Sequence, residues 1–350
     1  MNVTHYIGFD VHKKWIFYCT KTRGGTVVEE GKIQSVRPAL KAWAQQRSEV
    51  WMGGLEATLF TGWIYDELKP YAAELKVANP AMLKVIAASK KKNDRIDARK
   101  IADMLRCDLL PECYMAPSWI RELRRMLRYR NLVVAQAVRL KNRIAGLLME
   151  EGVSYDQRRL HGKRYFAGLL HSLETPASVL QLLRLSRASL EMFQTVERRL
   201  IRELASNPQL QARVELLETI RGVGVILALT WALEIAEVER FGSIRQAVSY
   251  CGLTSAERES GGKQYRGPIS KQRNRHLQTI LIEAAKLAPR WNPELAALHE
   301  RELARGNRNR ATLAVARKLV AYLMAVDRSG EPFQARGSAV ESAGVAQAAD

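Results

Sequence analysis

Two carboxylates, Asp94 and Asp97, stand three residues apart in a strongly basic stretch of the chain. Residues 98–105 have helical character, and Asn93 is a residue type that often caps the start of a helix. Residues i and i+3 share one face of a helix, so both acids would point to the same place. Paired carboxylates in a cationic field suit a divalent metal ion that acts on a phosphate backbone. The alternative is a solvated helix start, where the helix dipole favours acidic residues.

Two more acids lie upstream in apolar runs. Asp10 falls within the run 5–11, and Glu56 closes the run 50–56. Neighbouring strands of one sheet can bring these two acids together, and a helix packed at the sheet edge can add Asp94 and Asp97. Four hard oxygen ligands would hold one or two Mg²⁺ or Mn²⁺ ions. Alternatively, Asp10 faces solvent and Glu56 caps the helix that follows it.

Composition narrows the class of partner. Lys and Arg number 55 against 36 Asp and Glu, which gives a formal net charge of +19. Nucleic acid is the leading partner for such a chain, and a membrane surface is the competing one. The sequence contains no run of 18 or more apolar residues, so no transmembrane helix is predicted. The first residues do not resemble a signal peptide. The four cysteines form no CxxC pair, so free thiols in a reducing cytoplasm are expected.

The order of elements predicts an α/β region followed by helices. Runs at 5–11, 14–20 and 26–30 indicate a β-meander, and helices and strands alternate from there to residue 79. Long amphipathic helices are expected at 118–148 and 178–205, either as an antiparallel hairpin or as an intermolecular coiled coil. The predicted division is 1–110 for the acid-bearing domain, 111–215 for the helical middle and 216–327 for a mostly α C-terminal domain. Residues 328–350 are expected to form a disordered tail.

Three segments could contact nucleic acid. The helix around Arg124 and Arg128 carries many cations and few acids, which favours phosphate contact over an ordinary solvated face. The turn containing Gly222 and Gly224 resembles a helix-hairpin-helix, whose glycines let backbone amides approach a phosphate; tight helical turns use the same glycines. A polar loop over 252–271 joins small residues to cations that include Arg258, Lys263, Arg266 and Lys271. A serine of that loop could attack phosphorus, and composition leaves Ser255, Ser260 and Ser270 open.

Several motifs together resemble the DEDD transposases of insertion-sequence family 110, including the 1111 group, which are relatives of the Piv invertases. The matching stretches are 6–10 (YIGFD), 55–58 (LEAT) and 93–99 (NDRIDAR) in the first half, and 252–253 (GL), 260–261 (SG) and 267–271 (GPISK) in the second. The chain departs from the family pattern at 58–63 (TLFTGW), where a Thr-Gly-x-Tyr motif is common. It departs again at Ser255, which stands where the family often has proline.

The resemblance implies an RNase H-like (RuvC-like) N-terminal domain in which Asp10, Glu56, Asp94 and Asp97 bind Mg²⁺ or Mn²⁺. It also implies that Ser260 is the nucleophile of the C-terminal transposase domain. A coiled-coil middle would support a homo-oligomer, a dimer or a tetramer. The expected partners are DNA at the element ends and target, together with an element-encoded guide (bridge) RNA.

The expected function is therefore an insertion-sequence transposase or recombinase that exchanges DNA strands through a Mg-dependent phosphoserine intermediate. It would act in the bacterial cytoplasm, on the nucleoid. A RuvC-like metal-dependent junction nuclease that cuts with water is the alternative. A non-catalytic architectural protein is the third hypothesis, and the four acids argue against it.

Overall fold

The computed structural model describes residues 3–86 and 94–334, with the side chains of 84–86, 94–95, 257–260, 264 and 266 outside that description. The chain divides into two compact units, Met1–Arg121 and Glu122–Asp350. Asn93, the expected helix cap, lies outside the described residues.

The first unit is built on a five-stranded mixed sheet with the strand order β3-β2-β1-β4-β5. Its strands are β1 (His5–Val11), β2 (Trp15–Thr22), β3 (Val27–Gln34), β4 (Trp51–Glu56) and β5 (Glu74–Ala78). Strands β1, β2 and β3 form the predicted antiparallel meander, while β4 runs parallel to β1 and β5 parallel to β4. The N-terminal region is therefore mixed α/β, as predicted.

Helices cover both faces of this sheet. They are α1 (Arg37–Gln45), α2 (Thr61–Leu68), α3 (Pro80–Ile86) and α4 (Asp94–Arg106). The side chains of Ile7 and Phe9 point to the face covered by α1 and α2, where Trp51 and Leu55 complete an aromatic and aliphatic core. Because side chains alternate along a strand, Gly8 and Asp10 belong to the opposite face, against which α4 packs.

The second unit is largely helical, as predicted. Its helices are α5 (Ser118–Glu150, which begins in the first unit), α6 (Lys163–Ser172), α7 (Ala177–Ala205), α8 (Gln211–Glu218), α9 (Val225–Ile235), α10 (Ile244–Tyr250), α11 (Arg275–Leu287), α12 (Pro293–Ala304) and α13 (Arg308–Ser329). Helices α5 and α7 share a core through Ile144 and Leu183, and Arg130 of α5 pairs with Glu197 of α7. These contacts run in opposite directions along the two helices, so α5 and α7 form an antiparallel hairpin within the chain.

The segment expected to be a long polar loop is instead a β-hairpin. Strand β6 (Ser255–Ser260) pairs with β7 (Lys263–Ile269) in a sheet of their own. Gly261 and Gly262 both have positive φ, at 57° and 76°, as a two-residue type I′ turn requires. The Gly261-Gly262 pair therefore closes a regular turn.

Order extends beyond the expected start of the tail at residue 328. Helix α13 continues to Ser329, and Gly330 ends it in the left-handed conformation. The Phe333 ring packs against Tyr322, with ring centroids 4.7 Å apart. None of the helices in the described ranges has both the length and the apolar character needed to span a membrane. All four cysteines are free, and burial raises the pKa of Cys19 and of Cys251 to about 12.

Candidate active site

The first two acids of the predicted metal site lie on neighbouring parallel strands. Phe9 of β1 is paired with Leu55 of β4, so the same register carried one residue further sets Asp10 beside Glu56. Neighbouring strands are about 4.8 Å apart. Just after Glu56, the buried Thr61 hydroxyl donates to the Glu56 carbonyl oxygen at 3.1 Å and accepts the Thr58 N–H at 2.7 Å. Residues 58–60 of the TLFTGW segment are therefore a hydrogen-bonded turn after β4, and the segment continues as the first turn of α2.

Helix α4 lies directly on the face of the sheet that carries Asp10. A Cβ at Gly8 would lie 2.5 Å from the backbone nitrogen of Ala102 and closer still to the Ala98 carbonyl oxygen. A Cβ at Gly54, two residues before Glu56, would lie 3.2 Å from the Ile101 side chain. The missing side chains of these two glycines allow the helix backbone to approach the strands.

The ion pairs of α4 fix its direction. Asp103 of α4 accepts a hydrogen bond from Lys21 of β2, with Nζ and Oδ2 2.5 Å apart. Lys21 is paired with Tyr6 of β1, so this contact lies near the start of β1. One turn later, the Arg106 guanidinium reaches Gly25, beyond the N-terminal end of β1. Helix α4 therefore runs antiparallel to β1, and its first turn lies toward the strand ends that carry Asp10 and Glu56.

The distances along both elements agree with this placement. Four helical residues, from 98 back to 94, span about 6 Å, and two strand residues, from 8 to 10, span about 6.6 Å. The backbone of Asp94 therefore begins α4 at about the level of Asp10. The close packing at Gly8 is the feature that sets this level, and the joint metal site of the four acids stays a prediction.

The described acids have protein partners. Oδ2 of Asp10 lies 2.9 Å from Nε2 of His12, and Oδ1 of Asp97 accepts from Lys100 Nζ at 3.1 Å. The Asp94 side chain is outside the description. Among the described side chains, no three of the types His, Cys, Asp and Glu lie together as a metal ion would need.

The predicted nucleophile lies at the tip of the β6–β7 hairpin. Ser260 is the last residue of β6 and is paired with Lys263, the first residue of β7. By register, the next pair on the same face, toward the base of the hairpin, is Arg258 with Tyr265, because directly opposed residues share a face and the faces alternate along each strand. Lys263 and Tyr265 are both exposed.

The base of the hairpin is firmly anchored, in contrast to its exposed tip. Gln278 of α11 is buried and donates to the Gly252 carbonyl oxygen at 2.5 Å, and Arg317 of α13 donates to the Leu253 carbonyl oxygen at 2.8 Å. On the return strand, the Ser270 N–H donates to the Thr254 carbonyl oxygen at 3.0 Å, while its hydroxyl accepts the Gln272 N–H. Ser270 therefore has a local structural role, whereas Asn274 caps the start of α11.

Two family models match the chain at these two sites. The DEDD transposase model of the IS110 family matches residues 7–151, which span the four acids, and the model described as "Transposase IS116/IS110/IS902 family" matches residues 214–300, which span the serine hairpin. The chain belongs to the IS110 family of insertion-sequence transposases.

Individual proteins with transposase names are also similar in sequence to this chain. The y4qE protein of Sinorhizobium fredii, which has a transposase name, is 27% identical over 287 residues, or 80% of this chain and 70% of that protein. The transposase for insertion sequence element IS1111A of Coxiella burnetii is 27% identical over 262 residues, 69% of this chain and 68% of that protein. The transposase for IS1328 of Yersinia enterocolitica is 26% identical over 271 residues, 74% and 78% of the two chains.

Two cations that were expected to bind nucleic acid have partners inside the transposase. Arg128 makes a bidentate pair with Glu234, with both N–O distances at 2.9 Å, and Arg124 donates to the Leu233 carbonyl oxygen. Glu234 is 1% exposed and also accepts from Asn274 at 2.9 Å. Burial alone raises the pKa of Glu234, but the Arg128 hydrogen bonds and charge, with Asn274 and Arg124, outweigh it and hold the pKa below its usual value.

This cluster shows what sequence reasoning missed. Glu234 is more than 100 positions from its arginine partners and lies in the apolar helix α9, so no sequence pattern links it to them. A charged residue inside an apolar helix was the available signal, because buried charges require partners. The phosphate contacts assigned to Arg124 and Arg128 must accordingly compete with an internal carboxylate.

The two glycines of the helix-hairpin-helix-like turn differ in role. Gly222 has a φ of 99°, and a Cβ there would lie 2.7 Å from the Ala288 Cβ, so internal packing accounts for it. Gly224 precedes α9, is exposed, and has open space where a Cβ would be. Of the two, Gly224 is the one available to a ligand.

A cationic cleft of about 750 Å³ lies in the second unit between α5, α9 and α11. The exposed Arg139 and Arg275 line it together with one acid, Glu283, and with the apolar side chains of Ile226 and Ile280. His276 also lines it, and burial lowers the pKa of that imidazole so that it is neutral at pH 7. Sequence reasoning assigned the positive charge of α5 to a helix face, whereas part of it lines this concave surface.

Proposed function

We propose that this transposase cleaves and rejoins DNA strands at element ends and target through a covalent link to Ser260, assisted by a divalent metal ion held by Asp10, Glu56, Asp94 and Asp97. The observation that carries the proposal is the antiparallel course of α4 across β1 and β4, which directs its first turn toward the strand ends bearing Asp10 and Glu56. The three-layer α/β arrangement around these strands also supports an RNase H-like assignment of the N-terminal domain.

The donor chemistry fits Mg²⁺ or Mn²⁺. All four predicted ligands offer carboxylate oxygens, which these hard cations prefer. Lys100 and His12 lie within hydrogen-bond distance of two of the acids, so they neutralise or orient carboxylates in the protein itself. A bound divalent ion supplies polarisation of the phosphodiester and stabilises negative charge on its oxygens.

The covalent step conserves one phosphodiester bond. The Ser260 oxygen forms a bond to phosphorus while the bond from phosphorus to the 3′ oxygen breaks, and the serine proton ends on that 3′ oxygen. The product is a phosphoserine ester and a free 3′ hydroxyl. Attack by the 3′ hydroxyl of another strand reverses the step, so joining needs no external energy source.

The decisive experiment looks for a protein–DNA adduct. The purified chain is incubated with Mg²⁺, DNA spanning the ends of its own element and RNA transcribed from the flanks, then resolved on a denaturing gel. We expect the native protein to gain DNA mass, Ser260→Ala to give no adduct, and Asp97→Asn to reduce adduct to background. Ser260→Ala lacks the hydroxyl that attacks phosphorus, and Asp97→Asn lacks one of the proposed metal ligands.

Matched variants make the result specific. Ser255→Ala and Ser270→Ala remove other hydroxyls of the same segment, and Glu49→Gln removes an exposed carboxylate of the first unit; all three should retain the adduct. Cleavage that survives Ser260→Ala without any adduct would replace the proposal by a RuvC-like nuclease that uses water. Recombination that is indifferent to both Ser260 and Asp97 would leave only an architectural role.

The same assay tests the remaining partners. An adduct that forms only when the flanking RNA is present would support a guide RNA, and sedimentation of the reacting complex would give its oligomeric state. We propose a dimer or tetramer that acts on the bacterial nucleoid in the cytoplasm.

A further inference from the structure

The two faces of the β6–β7 hairpin differ in charge. By the strand register, Glu257, Glu259, Gln264 and Arg266 share one face, and Arg258, Ser260, Lys263 and Tyr265 share the other. Both acids of these paired positions therefore fall on the face that lacks Ser260. The serine face combines two cations with an aromatic residue and carries no acid among these positions.

Tyr265 is the aromatic residue of the serine face. Its side chain is 62% exposed, on a hairpin that forms a two-stranded sheet of its own. A single exposed tyrosine is common and by itself indicates little. This one lies on the same face as a lysine and the proposed nucleophile, one cross-strand pair from each, which is a separation of about 5–8 Å.

We propose that the serine face of the hairpin binds an unpaired segment of the DNA strand, with Tyr265 stacking on a base or sugar next to the scissile phosphate and Lys263 neutralising a flanking phosphate. Stacking on an aromatic ring tolerates any base, because every base has a π-face, and a neighbouring cation tracks the backbone. The inference rests on the proposed function for its choice of DNA, because Ser260 shares this face.

The anchored base and exposed tip suit this role. Hydrogen bonds from Gln278 and Arg317 hold the segment that leads into β6, so less conformational freedom is lost at the base of the hairpin when the strand binds. By register, the opposite face holds the positions of Glu257 and Glu259 with one cation, Arg266, so it is less positive than the serine face. The arrangement therefore selects which side of the hairpin the strand occupies.

The test uses the full chain in the Ser260→Ala background, where no covalent chemistry occurs. A 15-nucleotide oligodeoxynucleotide carrying 5-iodouracil is bound, irradiated, and the crosslinked peptide identified by mass spectrometry. We expect the crosslink on Tyr265. A failure of the serine mechanism would leave this crosslink intact, so the two proposals fail separately.

Affinity for fluorescent dT15, measured by anisotropy, supplies the second readout. We expect Tyr265→Ala to weaken binding about tenfold, Tyr265→Phe to keep it within about twofold, and Gln264→Ala, on the opposite face, to leave it unchanged. The inference is overturned if the crosslink maps elsewhere, or if Tyr265→Ala and Gln264→Ala weaken binding equally. It is also overturned if an oligoribonucleotide of the same sequence occupies Tyr265 in preference to DNA.

Discussion

Glu234 is the residue on which several parts of the second unit depend. It is almost fully buried on α9, and it accepts hydrogen bonds from Arg128 of α5 and from Asn274. Asn274 in turn caps α11 by accepting the His276 and Leu277 N–H groups. One carboxylate thus connects α5, α9 and the start of α11, the helix that follows the serine hairpin.

Neutralising this carboxylate should destabilise the protein. In Glu234→Gln the charges of Arg124 and Arg128 lose their counter-ion. The amide NH₂ group of the new side chain replaces a carboxylate oxygen and cannot accept a hydrogen bond from Arg128 or Asn274. We expect a loss of about 2 kcal/mol in the free energy of unfolding, below the range for a fully buried pair because the Arg128 side chain left without its partner is 47% exposed. The control is Glu283→Gln on α11, whose pair with Lys286 is exposed and should be worth less than about 1 kcal/mol. Equal urea midpoints for the two variants would contradict this account.

The same residue gives a pH dependence with a definite sign. The pKa of Glu234 is lower in the folded protein than in the unfolded chain. The unfolded chain therefore takes up the proton first, and the stability from this group is complete above about pH 4.5 and is lost as the pH falls through the folded-state pKa. We expect the stability difference between wild type and Glu234→Gln to narrow between pH 7 and pH 3. A difference that stays constant or widens on acidification would show that Glu234 is not held ionised.

At the scale of elements, the position of α4 depends on a glycine. Gly8→Ala would force its methyl group into the α4 backbone, so the helix must move away from β1. We expect a destabilisation of about 3 kcal/mol or more and a loss of adduct formation, because the first turn of α4 would shift relative to Asp10. Urea denaturation and the adduct assay measure the two effects.

The matched control for Gly8 is Gly146, in the interior of α5, where no atom lies within 4 Å of an added Cβ. Gly146→Ala should raise the free energy of unfolding by roughly 0.5–1 kcal/mol, since alanine favours the helix. Adduct formation should not change. If Gly8→Ala is tolerated as well as Gly146→Ala, the close approach of α4 to the sheet is wrong.

The elements also show what the sequence could predict. Apolar periodicity and Gly or Pro breakers located β1, β4, α4, α5 and α7 closely, because each has a buried face that its pattern reveals. The β6–β7 hairpin was missed, because its strands are polar and have no core face to impose alternation. The Gly261-Gly262 pair was the usable signal for it. The pairing of Arg128 with Glu234 could not be foreseen, since only the packing of α5 against α9 brings them together.

At the scale of the whole molecule, pairing of buried carboxylates with arginines leaves the excess positive charge mainly on the surface. Buried or half-buried carboxylates such as Asp327 and Glu234 are already matched by Arg213 and Arg128. The formal charge of +19 must therefore be carried mainly by exposed side chains, among them Arg139, Lys263 and Arg275. A polyanion such as DNA would release condensed counter-ions when it meets these groups.

This surplus predicts a steep dependence of DNA affinity on salt. Binding of the full chain to a non-specific duplex, measured by anisotropy between 50 and 200 mM NaCl, should weaken about a thousandfold, with a slope of log K against log salt of about −5 for six phosphate contacts. Lys263→Ala should make the slope for single-stranded DNA shallower by about 0.7, whereas Gln264→Ala should leave it unchanged. A slope shallower than about −2 for the native protein would mean that the cations remain bound to internal carboxylates and that contacts other than phosphate contacts hold the DNA.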